Sequence, residues 1–321
     1  MADYGSKVAE KTISVLEKKL HSIYVQAAKE LKAKLDGFAK AHAARDKQKR
    51  ELVKAGLMTE SEYRSWLRGQ VFMEKQWKDK LDQATRIMNE ANEEAAKLVH
   101  EKKLNVFAEN YNHQAFELEK EIGTDMGFNL YSSESVSRLI SKDPEILPKW
   151  KIDQAKDYVW NREKVSNAIT QGIIQGESID QITDRLINSL CTQNENKMRT
   201  FARTAVTGAQ NAGRMEQLHD AEDSGIKVRK KWLATLDDRT RDAHAELDGQ
   251  VQDVDDPFQS ELGEIMFPGD PSAEPGNVYN CRCTMIYVYE GVDYKSVRRD
   301  NEGNLVEDMT YREWKEWKEG H

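Results

Sequence analysis

The chain has 321 residues, 38% of them hydrophobic and 32% charged, with a formal net charge of −8. That is length enough for about two domains, too polar for one compact globule, and suited to an elongated, helix-rich protein with much solvated surface. The acidic balance excludes a chain whose whole surface coats nucleic acid, and three cysteines are too few for a disulfide scaffold. No apolar run precedes a small-residue cleavage site at the N-terminus, so no signal peptide is expected. No stretch approaches the ~20 apolar residues of a membrane-spanning helix. A reducing cytoplasm during synthesis is the expected setting.

Residues 1–122 form a helical N-terminal arm by their patterning. Leu16, Leu20, Ile23, Ala27, Leu31 and Leu35 recur at steps of three and four, which places them on one stripe of a helix. The stripe lapses in the small, basic segment Ala39 to Arg50, and Gly56 breaks the pattern. Thr59-Glu60-Ser61-Glu62 is a capping box, in which Thr59 and Glu62 each satisfy a free backbone donor at a helix start. A second stripe follows through Trp66, Leu67, Ala84, Met88, Ala91 and Ala95, with no proline before Lys103. The spacing predicts one helix of about 40 residues, ~60 Å long. A helix of that length bundles with others or reaches a partner, and the two are compatible.

Gly123, Gly127, Pro144 and Pro148 mark a hinge over 123–152. Residues 153–290 are expected to form a small α+β domain. Its first helix runs from Asp153 to Gln171. A capping box at Ser178-Ile179-Asp180-Gln181 opens a second through Leu190, and a third runs from Met198 to Leu218. From Lys227 the period becomes two, which predicts a strand around Trp232. Asp237 or Asp238 is expected to cap a short helix that Gly249 ends. Residues 251–280, rich in Pro, Gly and Asp, read as a long loop before a strand at Thr284–Tyr289. Residues 291–321 form a docking tail. Thr310 caps its helix, and Tyr311, Trp314 and Trp317 share one side, either as anchors for a partner or folded back on the chain's own core. The fold class is α+β and predominantly helical.

Four motifs fall in a fixed order. Trp232 is followed by Asp237, Arg239-Thr240-Arg241, His244 and Leu247-Asp248-Gly249-Gln250. Then come Phe267-Pro268-Gly269-Asp270-Pro271 and Asn280-Cys281-Arg282-Cys283. Together they resemble the Mu F-like family of phage minor head (head morphogenesis) proteins, over roughly residues 160 to 290. Arg203-Thr204 and Gln210-Asn211-Ala212-Gly213-Arg214 carry the same resemblance. Ala108 to Asn112 and Asp143 to Pro148 resemble the variant found in phages of Gram-positive bacteria. The resemblance implies a virion component rather than an enzyme. Such a minor head protein joins the procapsid in the host cytoplasm, associates with the portal and other head proteins, and sits inside the head near packaged double-stranded DNA. The family's fold has been likened to ADP-ribosyltransferases. Their Glu-x-Glu pair has no counterpart after Thr204, where Glu261 and Glu264 are three apart. Readings from other classes are a prophage-encoded interaction module or toxin carrier, and a degenerate ADP-ribosyltransferase-like protein.

Three candidate sites follow. Cys281 and Cys283, two apart on extended backbone, point the same way, and His244 adds an imidazole. Two sulfurs and a nitrogen suit tetrahedral zinc, with Asp248, Asp270 or water fourth. The simpler reading is preferred: two small, semi-buried cysteines and a hydrogen-bonded histidine that ties loop to helix, with no cofactor. A Cys-His nucleophile oriented by Asp248 is disfavoured because no hydrolase signature accompanies it. Arg229, Lys230, Lys231, Arg239 and Arg241 cluster around the Trp232 strand and could hold DNA backbone, although lysines on a solvated strand edge are the commoner explanation. No membrane partner is expected.

Overall fold

The structure, a computed structural model, describes residues 4–69, 75–122, 126–144, 146–147, 154–175, 177–235, 237, 239–289, 297–299 and 305–307, some of them as backbone alone. Among the described residues six helices come first: α1 (Tyr4–Lys54), α2 (Glu60–Arg68), α3 (Lys75–Ile122), α4 (Ser133–Lys142), α5 (Gln154–Ile174) and α6 (Ile179–Asp223). The strands β1 (Val228–Leu233), β2 (Val251–Asp253), β3 (Phe258–Ser260), β4 (Gly263–Ile265), β5 (Thr284–Tyr289), β6 (Val297–Arg299) and β7 (Leu305–Glu307) follow. The short helix α7 (Asp242–Leu247) lies between β1 and β2, and α8 (Pro275–Val278) between β4 and β5. The protein is predominantly helical α+β, with a long helical N-terminal region and small C-terminal sheets. Among the described residues no helix is long and apolar enough to cross a membrane.

Several elements differ from the reading of the patterns. Helix α1 continues through Ala39 to Arg50, because Ala, Lys, Arg and Gln hold a helix without an apolar stripe. It ends just before Gly56, which takes the left-handed φ of 68°. The Thr59 capping box forms: its hydroxyl accepts from the Glu62 N–H at 3.1 Å, and the Glu62 carboxylate accepts from the Thr59 N–H at 2.7 Å. The helix it opens is α2, and the long helix α3 runs past Lys103 to Ile122; residues 70–74, which the expected 40-residue helix would cross, lie outside the described residues. The helices expected at 182–190 and 198–218 are one, the 45-residue α6, since no glycine or proline separates them. The span 251–280 is not a loop throughout. It holds β2, the β3–β4 hairpin and α8, elements too short to show a period. The tail residues Thr310, Tyr311, Trp314 and Trp317 lie outside the described residues.

Contacts group the chain into two units that interleave along the sequence. One takes residues 1–17, 98–150 and 200–321; the other takes 18–97 and 151–199. Among its described residues the second unit holds helices and no strand. Its core holds Leu20, Leu31, Leu35, Met88, Ile169 and Leu186. A buried polar chain runs through that core across four helices. The Tyr24 hydroxyl donates to Asn92, Asn92 to Asn194 (2.8 Å), Asn194 to Asn161 (2.9 Å) and Asn161 to Asn89 (2.8 Å). The first unit holds the three-stranded antiparallel sheet β2-β1-β5, the end of α3, α4 and the end of α6. Leu118, Met215, Leu218, Val228, Val254 and Met285 form one of its clusters; Trp232, Leu247, Phe258, Ile265, Cys281 and Cys283 form another.

Candidate functional site

The C-terminal half of α6 is the scaffold of the site. Gly213 meets α3 so closely that a Cβ there would stand 2.3 Å from the Phe107 carbonyl oxygen. Gly208 meets the Pro268-Gly269 turn likewise, with Gly269 at φ 84°. These contacts explain the small residues of the motif on α6. Its polar residues reach outward in turn. Asn211 donates to the Pro268 carbonyl (3.0 Å) and accepts from the Met285 N–H (3.1 Å). Buried Arg214 donates to Asn110 (3.2 Å), to the Thr284 hydroxyl (2.9 Å) and to the Met285 carbonyl (2.6 Å). Thr207 donates to the Cys281 carbonyl (3.0 Å), and the Thr204 hydroxyl accepts from the Asn280 N–H (3.0 Å), where Asn280 has a positive φ of 54°. The Asn-Cys-Arg-Cys segment is thus fixed from α6. The upstream motif is also used: Asn112 exchanges two hydrogen bonds with Tyr131, and Tyr111 donates to Asp220.

Cys281, Cys283 and His244 come together and are all buried. The His244 Nδ1 lies 3.4 Å from the Cys283 sulfur and 3.8 Å from the Cys281 sulfur, while Nε2 lies 3.1 Å from the Asn277 carbonyl oxygen. Both thiols are free of disulfides. The hydrogen bond from Cys283 holds the Cys281 thiol below its ordinary range. The same bond, with burial, pushes the Cys283 thiol well above it. The Arg241 and Arg282 guanidiniums add to the lowering at Cys281, and burial opposes it. The two aspartates expected as a fourth ligand are engaged elsewhere: Asp248 accepts from the Ala234 N–H (2.9 Å), and Asp270 from the Ser272 and Met266 N–H groups. Nor does Asp248 orient the histidine, whose ring nitrogens face the sulfurs and Asn277.

The basic residues do not form one patch. Strand β1 is the middle strand of its sheet, so its lysines do not guard an edge. Lys230 is 0% exposed. It lies on the same face as Trp232, donates to the Val254 (2.7 Å) and Met266 (3.0 Å) carbonyls, and cannot touch DNA. Burial lowers its ammonium to a pKa of about 8. Alternation along the strand already put Lys230 beside Trp232, and that signal was available in the sequence. Arg229 and Lys231 lie on the opposite face of β1. Arg239 and Arg241 instead line a cavity of about 560 Å³ together with Arg203, Arg282 and the Cys-His cluster.

Asp237 does not cap α7. That helix begins after Arg241, which makes no side-chain cap. Asp237 grips the Arg282 guanidinium with both oxygens and accepts from the Arg239 N–H (3.0 Å). The Arg282 bond holds its carboxyl below the usual 3.8. A depressed carboxylate contributes stability above its unfolded pKa and loses it as pH falls through the folded one. Asp237→Asn is expected to cost about 2 kcal/mol at pH 7, discounted because Arg282 is partly exposed. The gap in melting temperature from the unsubstituted protein should shrink as pH falls from about 5 towards 3; a constant gap would contradict this account.

Comparisons with known proteins place this architecture. Residues 163–286 match the family described as "Phage Mu protein F like protein". The chain is 27% identical over 324 aligned positions to "Minor head protein GP7" of Bacillus phage SPP1, covering 97% of this chain and 96% of that protein. It is 36% identical over 157 positions to "NAD(+)--arginine ADP-ribosyltransferase EFV" of Enterococcus faecalis, covering 47% of this chain and 31% of that protein. It is also 29% identical to the uncharacterized protein YqbB of Bacillus subtilis, over 56% of this chain and 63% of that one. No solved structure matches. The family match falls on the segment whose motifs build the α6 scaffold and the Cys-His cluster: residues 163–286 are a Mu F-like segment, in a chain that is similar along nearly its whole length to a phage minor head protein.

Proposed function

We propose that the protein acts in phage head assembly, joining the procapsid in the host cytoplasm in association with the portal and remaining inside the head. The observation that carries this reading is the end-to-end similarity to a minor head protein, which spans the helical region as well as the Mu F-like segment. The long helices α1, α3 and α6 suit such a role, since helices of 45 to 51 residues present extended polar surface to partners. Procapsids purified from an assembling system are expected to contain the protein, and isolated portal oligomers to bind it without DNA. Absence from both procapsids and virions would sink the proposal.

The partial similarity to an arginine ADP-ribosyltransferase supports no catalytic reading, given the missing Glu-x-Glu after Thr204. Contact with packaged DNA is a further part of the proposal and rests on Arg229, Lys231, Arg239 and Arg241, with buried Lys230 removed from the set. Reversing Arg229 and Lys231 to glutamate should flatten the salt dependence of any DNA binding. The tail anchors Tyr311, Trp314 and Trp317 belong to the same proposal. Deleting residues from Asp308 onward should leave the protein folded and weaken its incorporation into particles; normal incorporation would end the docking role.

A further inference from the structure

We propose that His244 Nδ1, Cys281 Sγ and Cys283 Sγ bind one zinc ion, with its fourth position open to the arginine-lined cavity. The donor set is the first argument. Two sulfurs and an imidazole nitrogen lie within 4.8 Å of one another, and all three residues are buried. Zinc holds sulfur at about 2.3 Å and imidazole nitrogen at about 2.0 Å, so a tetrahedral N–Zn–S edge spans roughly 3.5 Å. The two N–S separations here, 3.4 and 3.8 Å, bracket that edge without any metal to draw the groups together.

The second argument is the orientation of the ring. An imidazole that ligates through one nitrogen gives the N–H of the other to a carbonyl or carboxylate. His244 places Nε2 against the Asn277 carbonyl, which leaves the Nδ1 lone pair aimed between the two sulfurs. A histidine that merely tied loop to helix would need only the Asn277 bond. The third argument is rigidity. Thr207 holds the Cys281 carbonyl and Thr204 holds the Asn280 N–H, while Trp232 packs edge-on against the His244 ring. The donors are therefore set before any ion arrives.

The open position follows from the neighbours. Asp248 and Asp270, the nearest carboxylates by sequence, are bonded elsewhere and stand outside the cluster, whereas all three donors line the cavity. Water completes the tetrahedron from the cavity side. The ion would join α7 to the Asn-Cys-Arg-Cys segment, 37 residues apart in sequence at His244 and Cys281.

Cobalt(II) titration of the full chain, purified with its thiols reduced, tests this directly. We expect one cobalt per chain, with the strong visible bands of tetrahedral cobalt and a thiolate charge-transfer band, displaced by zinc. Cys281→Ser and Cys283→Ser should each abolish the charge-transfer intensity or halve it, while Cys191→Ser, in the other unit, should leave it intact. Added azide should shift the visible bands through the open position. The proposal fails if the unsubstituted chain shows only the weak spectrum of octahedral cobalt. It also fails if the cobalt spectrum survives both cysteine changes. Insensitivity to azide would overturn the open fourth position.

Discussion

Gly213→Ala is expected to destabilise the protein by about 3 kcal/mol, lowering the melting temperature by roughly 6–12 °C. On propensity alone the change should help, since alanine is favoured over glycine inside a helix by about 1 kcal/mol. Packing reverses the sign. The new methyl would lie 2.3 Å from the Phe107 oxygen and 3.0 Å from its carbonyl carbon, which are backbone atoms of α3 and cannot rotate aside. The two helices must separate, and the bonds from Arg214 to Asn110 and the β5 backbone are displaced with them. Gly69→Ala is the control: Gly69 is also in helical conformation, but open space surrounds it. That change should be neutral or slightly stabilising. Thermal or urea denaturation of both variants decides the matter. Equal stabilities would show that α6 and α3 yield freely at this crossing.

Asn194→Ala should cost roughly 3 kcal/mol, because it strands two neighbours at once. Asn194 accepts from Asn92 and donates to Asn161, and all three are buried. A buried amide that loses its partner pays the full desolvation of that group, about 1–3 kcal/mol each. A double-mutant cycle with Asn161→Ala should then return less than the sum of the single changes, with a coupling of at least about 0.5 kcal/mol. Strict additivity would mean that the amides act separately rather than as one chain.

Much of this fold was legible in the residues. The capping boxes at Thr59 and Ser178 form as read, and the strands around Trp232 and at Thr284–Tyr289 are where period two put them. Cys281, Cys283 and His244 were grouped from spacing and do converge. What failed has physical causes. Helix continuity across Cys191 to Lys197 carries no apolar stripe to signal it, because Asn194 is a polar residue that is buried and bonded on two sides. Lys230 was read by its type rather than by its face. Asp237 was read as a local cap, but its partner Arg282 is 45 residues away, and no local rule reaches that far. The polar residues of α6 could be identified as a motif but not understood as one. Their partners lie on α3, on β5 and in the Pro268-Gly269 turn, and only the fold brings those together.

The interleaving of the two units has a consequence for biosynthesis. Residues 1–17 are made before the rest of their unit, which also needs β1 and β5, ending at Leu233 and Tyr289. That unit cannot close until the segment through Tyr289 has been made. Residues 18–97 and 151–199, by contrast, can collapse once Arg199 has been made. The helical unit should therefore be the earlier nucleus. For the remainder of synthesis the first turns of α1 wait, with their apolar side uncovered, for the segment that carries the family's signature.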